Sequence, residues 1–424
     1  MIVLFIHQNF PGQYGHVARR LARNPAHRVY AISQGRDAAL EGVEHYTYRA
    51  DSPLPAGNHP YNSHYEAAVR TGIAVMRGCR ELRARGVVPD VVVGHAGWGE
   101  MLLIKEVFPD TPVLSYFEFF YRARGADVGF DPEFSPPREE DGVRLRLRNA
   151  INWMSFYGCD WGHTATRWQR RLFPPTMQSR ITVLHEGINT RRIQPDAQAA
   201  IELEGPGLRL TRADEIVTYV ARNLEPYRGF HWFMRALPEL LRRRPRAQVI
   251  VVGGDDISYG EHAPYGGSYR EMLLAELGAR LDRSRVHFLG QVPNERYLQV
   301  LRVSSVHVYF TYPFVLSWSM LEAMAAGCLV LGSANPPVDE VLRDGANGLM
   351  VDASDAAAVC ARIEEALDHP DRMQAIRDAA RETVVQKYDL HTKMLPRWVE
   401  LLGSLAQRRP IPAEDPEPPL TDRG

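Results

Sequence analysis

SSVHVYFTYPFVLSWSMLEAMAAGCLVLGSANPPVDEVLRDGANGLMVD, residues 304–352, is the stretch from which the fold is read. Residues 306–310 form an apolar run of strand length, Pro313 marks a loop, residues 317–326 carry helical spacing, and a second apolar run follows at 328–331. Short buried runs alternating with helical segments are the pattern of a parallel sheet with crossover helices. The helix then starts at the carboxyl edge of a strand, where unpaired N–H groups attract anions and where open α/β sheets bind ligands. Glu322 lies one step round from the packing face of Leu321, Met324 and Ala325, so it can look along that crevice; the plainer alternative is a solvated helix carboxylate.

The same grammar extends in both directions. Residues 216–220 are a strand that delivers Arg222 to its carboxyl edge, and Arg228 opens a helix running through Phe233, Leu237 and Leu241. Two guanidiniums at one mouth can hold an anion such as a diphosphate. Near the start, the strand 2–6 ends on a loop with His7, Gly12 and Gly15, whose glycines let backbone amides approach a ligand closely. His7 is either a ligand contact or a capped core histidine. The strand ahead of Gly94 ends on a second Gly/His loop carrying His95 and Trp98. Glu118 stands at the end of an aromatic strand, where a carboxylate is costly to bury unless paired or hydrogen-bonded; Arg122 and Arg124 offer an ordinary ion pair instead. Residues 125–141, rich in Pro, Asp and Glu, are expected to be a mobile cap, and residues 257–267, with Tyr259, His262 and Tyr265, a second lid over the cleft.

The run Leu321-Glu322-Ala323-Met324-Ala325-Ala326-Gly327, with Pro336-Pro337-Val338-Asp339-Glu340 and Asp344-Gly345-Ala346-Asn347-Gly348 after it, closely resembles the nucleotide-sugar site of family-4 glycosyltransferases of the GT-B fold. The resemblance implies an α/β chain of two doubly wound, Rossmann-like parallel-sheet domains facing a central cleft. It places an acceptor-side domain at 1–195 and a linker at about 196–206. A donor domain at 207–387 follows, then a last helix at about 388–408 returning to the first domain, and a disordered tail at 409–424. It implies that Glu322 holds the donor ribose and that the backbone near Leu316, Ser317 and Trp318 faces the diphosphate. The turn at Val292 reads the nucleobase, Gly12 and Gly15 face the donor phosphates, and His7, His95 and Trp98 lie on the acceptor side. Arg222 and Arg228 match the family's diphosphate-binding Arg and Lys, with Arg in the Lys place. Glu118 stands where the family has a sugar-contacting His. One departure is plain: where the family carries a second Glu eight residues before Glu322, this chain has Phe314, which either stacks on a sugar or plugs the site.

The implied activity is transfer of a sugar from a nucleotide-diphosphate donor to a hydroxyl of a small-molecule, lipid-linked or glycan acceptor, with retention and without metal or cofactor. A GT-B epimerase and a non-catalytic nucleotide-sugar-binding homologue are the alternatives. Composition is compatible: 424 residues suit two domains, and a formal net charge of -1 makes no case for nucleic acid or a membrane surface. The four cysteines show neither zinc nor disulfide spacing, and Asp255-Asp256 lacks a third metal ligand. Arg-rich residues 143–148 and 242–246 read as solvated helix faces. No apolar run reaches membrane-spanning length, and the first strand is no signal peptide, so the expected location is cytoplasmic. The sugar, the base, the acceptor and the oligomeric state leave no mark that can be read.

Overall fold

Runs of three to eight residues, most of them apolar, make the strands, and the described residues hold fifteen in chain order. They are β1 (Ile2–Ile6), β2 (Arg28–Ser33), β3 (Val43–Thr47), β4 (Val91–His95), β5 (Val113–Tyr116), β6 (Trp161–Thr164) and β7 (Ile181–Val183), then β8 (Ala200–Leu203) and β9 (Leu208–Thr211). After these come β10 (Ile216–Asn223), β11 (Gln248–Gly254), β12 (Val286–Phe288), β13 (Val306–Tyr309), β14 (Val330–Ser333) and β15 (Leu349–Val351). The computed structural model describes residues 1–35, 40–50, 59–205, 207–264 and 266–414. The chain divides into two units, residues 1–122, 139–186 and 391–424 in the first and residues 123–138 and 187–390 in the second.

The first unit is built on a parallel sheet of order β3-β2-β1-β4-β5-β6-β7. Every residue of β4 is buried, as expected of a central strand covered on both faces. The helix Ser63–Ala84 covers one face through Ala68, Val75, Cys79 and Leu82. The Arg-rich stretch and the residues after it form two helices, Asp141–Arg148 and Ala150–Tyr157. The break falls at Asn149, whose amide accepts from the Tyr121 N–H (3.0 Å) and donates to the Tyr121 carbonyl (2.8 Å), tying that position sideways to the loop after β5. The last helix, Leu395–Ala406, packs on Gly15–Ala22 and buries Trp398, whose indole donates to the His185 carbonyl at 3.1 Å. The expected tail begins as ordered chain: Glu414 pairs with Arg170 at 3.0 Å and accepts from the Val183 N–H at 2.8 Å. Residues 415–424, the remainder of that tail, lie outside the described residues, as does Tyr265.

The second unit repeats the plan as β12-β11-β10-β13-β14-β15, all parallel. Val217 and Tyr219 of β10 join one apolar layer with Phe230, Phe233 and Leu237, while Ile216 joins another, the period-two alternation of a strand. The chain runs from β10 to β11 on one side and later to β13 on the other, so the strand order reverses between β10 and β13. Two expectations are corrected in this unit. The supposed linker at 196–206 contains β8, which pairs antiparallel with β9 and buries Ile201, Leu203 and Leu210 against Ile250, Val252 and Val303. The supposed mobile cap is fixed for residues 123–138: Asp127 accepts from the Tyr227 hydroxyl at 2.8 Å, Asp131 lies 3.0 Å from His231, and Glu133 takes both ends of the Arg235 guanidinium at 2.6 Å. Its acidic residues are tied to side chains of the second unit, the buried His231 and the partly exposed Tyr227 and Arg235.

Candidate active site

In the second unit the carboxyl edge at the strand-order reversal is occupied by the turn after β10 and the segment after β13. Arg228 is buried there, and its Nη1 donates to the Val315 carbonyl (3.0 Å) and the Thr311 hydroxyl (3.1 Å). The Tyr259 ring lies 5.0 Å from the guanidinium carbon. That ring is positioned by Glu225, a fully buried carboxylate that accepts from the N–H groups of Ser258 (3.2 Å), Tyr259 (3.1 Å) and Gly260 (3.0 Å). The loop expected as a second lid is clamped at its start, and the clamp doubles as a support for Arg228. Arg222, by contrast, is exposed on β10 and has no hydrogen bond or ion pair among the described residues. One guanidinium is preorganised; the other is free to follow a ligand.

The helix Trp318–Ala325 begins with Ser317 as its N-cap, the side chain accepting from the Ser319 N–H at 3.3 Å. The Ser317 N–H donates to the Tyr309 hydroxyl at 2.8 Å, so that amide is engaged within the protein, while Trp318 stays 42% exposed at the first turn. Leu316 is buried with the apolar layer behind the helix. Glu322 accepts from the Tyr297 hydroxyl at 2.7 Å, and burial raises its carboxyl above the ordinary range against the opposing pull of that bond and of Arg192. Phe314 is only 6% exposed, with Tyr227 at 5.4 Å and Tyr259 at 5.0 Å between ring centres, so it fills an aromatic cluster and leaves little face for a sugar. Val292 is partly buried beside the layer containing Ile201 and Val300, next to the positive-φ turn at Gly290.

The first unit gathers a different set of groups. His7 and His95 each end a strand and each accepts, at Nδ1, the amide two residues on: Asn9 N–H and Gly97 N–H, both at 3.0 Å. Accepting there leaves the proton on Nε2. His7 directs it to Gln13 Oε1 at 2.6 Å, and burial, then the neighbouring His95, drives its pKa down to about 3. His95 directs it toward Glu118 Oε2 at 3.5 Å, a distance of electrostatic contact more than of a formed hydrogen bond. Trp98 stacks on His95 with ring centres 3.8 Å apart, and the His7 ring meets that indole edge-on at 5.2 Å. Gly12, at φ +42°, is required by the same packing, since a Cβ there would come within 2.4 Å of the His7 ring. Gly15 starts the following helix, against Pro11.

Sequence reasoning missed Glu100. It is fully buried, accepts from the Tyr48 hydroxyl at 3.1 Å through one oxygen, and has no partner for the other among the described residues. Burial pushes it up to about 7, with His95 and the Tyr48 bond pulling the other way. The Arg-rich helix expected as a solvated face is split in its duties. Arg144 pairs with Asp141, whereas Arg148 lies over the Tyr121 ring at 3.8 Å and, with His64, His95, Trp98 and Glu118, lines a pocket of about 60 Å³. Burial, then the Arg148 charge, holds His64 down at about 4.

Comparison with known proteins agrees with both sheets. Residues 25–193 match the family described as glycosyl transferase family 4 group, and residues 208–383 match glycosyl transferases group 1; between them they take in most of the chain. A D-inositol 3-phosphate glycosyltransferase of Nocardia farcinica is 34% identical over 200 residues, 46% of this chain and 42% of the relative. A GDP-mannose-dependent alpha-(1-6)-phosphatidylinositol monomannoside mannosyltransferase of Mycolicibacterium smegmatis is 27% identical over 237 residues, 53% of this chain and 57% of the relative. These matches span about half the length of the curated relatives. Among solved structures, sucrose-phosphate synthase of Thermosynechococcus elongatus superimposes with a TM-score of 0.71 at 17% identity, over 96% of this chain and 100% of the other. HepE of Anabaena, in complex with UDP-glucose, gives 0.65 at 15% identity over 95% and 100%. At these identities the likeness concerns the fold, which is GT-B. No helix among the described residues is long and apolar enough to cross a membrane.

Proposed function

The chain belongs to the group 1 glycosyltransferases of family 4, and from that premise we propose that it transfers a sugar from a nucleotide-diphosphate donor to a hydroxyl of a polar acceptor, with retention of anomeric configuration. The observation that carries this reading is the preorganised Arg228: a buried guanidinium held by Thr311 and Val315, at the strand-order reversal where doubly wound sheets bind nucleotides. A cation fixed before the reaction stabilises charge as it develops without reorganising. The bond from the anomeric carbon to the diphosphate oxygen breaks, a bond to the acceptor oxygen forms on the same face, and the acceptor proton passes to a diphosphate oxygen. Arg228, joined by the exposed Arg222, takes up the charge of the departing diphosphate. Glu322, oriented by Tyr297, is the acceptor for the donor ribose hydroxyls.

On the first unit, the His95–Glu118 contact is the group we assign to orienting the sugar or acceptor hydroxyls, with Trp98 fixing the imidazole plane. The names of the relatives, a D-inositol 3-phosphate glycosyltransferase and a phosphatidylinositol monomannoside mannosyltransferase, favour a polyol acceptor. No dedicated base and no metal enter the scheme. A second reading, donor binding without turnover, is favoured by one feature only, the burial of Phe314 where the family has a carboxylate. Thermal-shift titration with UDP, GDP and their sugar conjugates tests the donor site, because a ligand that binds the folded form raises its melting temperature. Glu322→Ala and Arg222→Ala are expected to erase that shift; an undiminished response in both variants would overturn the assignment. Release of nucleoside diphosphate in the presence of polyol acceptors then separates a transferase from a binding protein.

A further inference from the structure

A pocket of about 360 Å³ opens in the second unit at the carboxyl ends of β14 and β15, and none of the groups assigned above lines it. Its size falls within the roughly 300–1,000 Å³ of small-molecule sites. Two aromatic rings form one wall: Phe130, 40% exposed, and Trp232 at the start of the helix Phe230–Arg243, with ring centres 6.2 Å apart at 73°. The Trp232 indole N–H makes no hydrogen bond among the described residues. On the other side, Asp352 uses Oδ1 to accept from the Ser354 N–H (3.0 Å) and hydroxyl (2.7 Å), which leaves Oδ2 turned to no partner. The floor includes Ser333 and Asn335.

We propose that this pocket binds a neutral pyranoside, as a site separate from the Arg228 and Glu322 groups. A sugar ring offers an apolar C–H face to the aromatic wall and hydroxyls at its rim. A carboxylate oxygen accepts from those hydroxyls, and the indole N–H donates to one. Charge selects against the other small ligands that such a wall attracts. Among the described residues no Lys or Arg lines the pocket and Asp352 is its one charged lining residue, so phosphates and nucleotides are disfavoured. A quaternary ammonium would suit the rings and the acid but would leave the indole donor unused. The floor also touches the donor-side machinery: Ser333 Oγ accepts from the Thr311 N–H (3.2 Å) and the Asn335 amide donates to the Thr311 carbonyl (2.9 Å), while the Thr311 hydroxyl accepts from Arg228. A sugar held here is a ligand at the back of the residue that supports Arg228, not a reactant.

Saturation-transfer NMR on the full chain, with methyl α-glucopyranoside, methyl α-mannopyranoside and maltotriose as probes, tests the proposal. The expected result is transfer to the ring protons of at least one probe, unaffected by saturating UDP or GDP. Trp232→Ala and Asp352→Ala should each weaken binding by at least about tenfold. Asp352 is exposed, so its variant decides the matter if Trp232→Ala does not fold. No transfer from any of the three, binding unchanged in the Asp352 variant, displacement by either nucleotide, or tighter binding of tetramethylammonium than of the sugars would each overturn it.

Discussion

Set the carboxyl edges of the two sheets side by side. Both sheets run third-second-first-fourth-fifth-sixth in their own strand numbering, the first adding β7 at its far edge. Yet the ends of β1, β4 and β5 in the first unit carry buried histidines and the acids Glu100 and Glu118, while the ends of β10 and β13 in the second carry Arg228 among tyrosines. One frame thus supports two chemistries. The first is suited to hydroxyl groups and protons, the second to an anion, and the difference lies wholly in what the loops bring to equivalent strand ends.

The contrast can be broken most severely at Arg228. Arg228→Ala is expected to lower kcat/KM by about 10²–10³ and to abolish nucleotide-diphosphate thermal shifts, measured by steady-state kinetics and melting curves. Glu100 offers the next largest effect. Its pKa of about 7 in the folded chain exceeds the ordinary carboxylate value, so folding is favoured at low pH and that contribution is lost as pH rises through about 7. Glu100→Gln should therefore gain at most about 3 kcal/mol at pH 8 and nearly nothing at pH 4, read from urea denaturation at the two values.

The buried histidines move the other way. His7, His163 and His307 are held at about 3, so the unfolded chain takes up protons they refuse, and stability falls as pH drops from about 6.5 toward 3. Each contributes at most about 2 kcal/mol to that loss at pH 5, and unfolding followed from pH 7 to 5 should show the decline. His95→Gln with Glu118→Gln sharpens the comparison, since turnover should fall about tenfold or more while the donor thermal shift stays. The smallest effect is expected from Tyr297→Phe, which removes one hydrogen bond to Glu322 and should weaken donor binding about fivefold in a titration, the cost of roughly 1 kcal/mol.

What could be read in advance follows from how far each signal travels along the chain. Strands such as β4 and β10 were legible because burial on both faces writes itself as an unbroken apolar run. Glu322 was legible because its helix and the turns after it form a continuous motif. Glu225, Thr311, Tyr297 and Glu100 were not, since each acts on a group tens of residues away and nothing local marks an acid that will clamp a distant loop. The histidine turns at His7 and His95 had a usable signal, the repeated strand-end His with its Nδ1 facing the amide two residues on. The β8–β9 hairpin was overlooked although Ile201, Leu203, Leu208 and Leu210 alternate in and out of register with the turn at Gly205 and Gly207. Residues 123–138 were misjudged for a general reason: composition reports how well a segment dissolves, not which cation elsewhere is waiting for its acids.

That segment limits how the protein can be taken apart or recombined. Its Asp127, Asp131 and Glu133 serve Tyr227, His231 and Arg235, so a fragment starting at residue 187 would leave a buried imidazole without its carboxylate and Arg235 with Glu276 alone. Grafting the second unit onto another member of the family at one joint would sever a strut encoded about 50–60 residues upstream of that joint. A working chimera must carry both pieces, which makes the inherited module discontinuous and the two halves unable to evolve as independent cassettes.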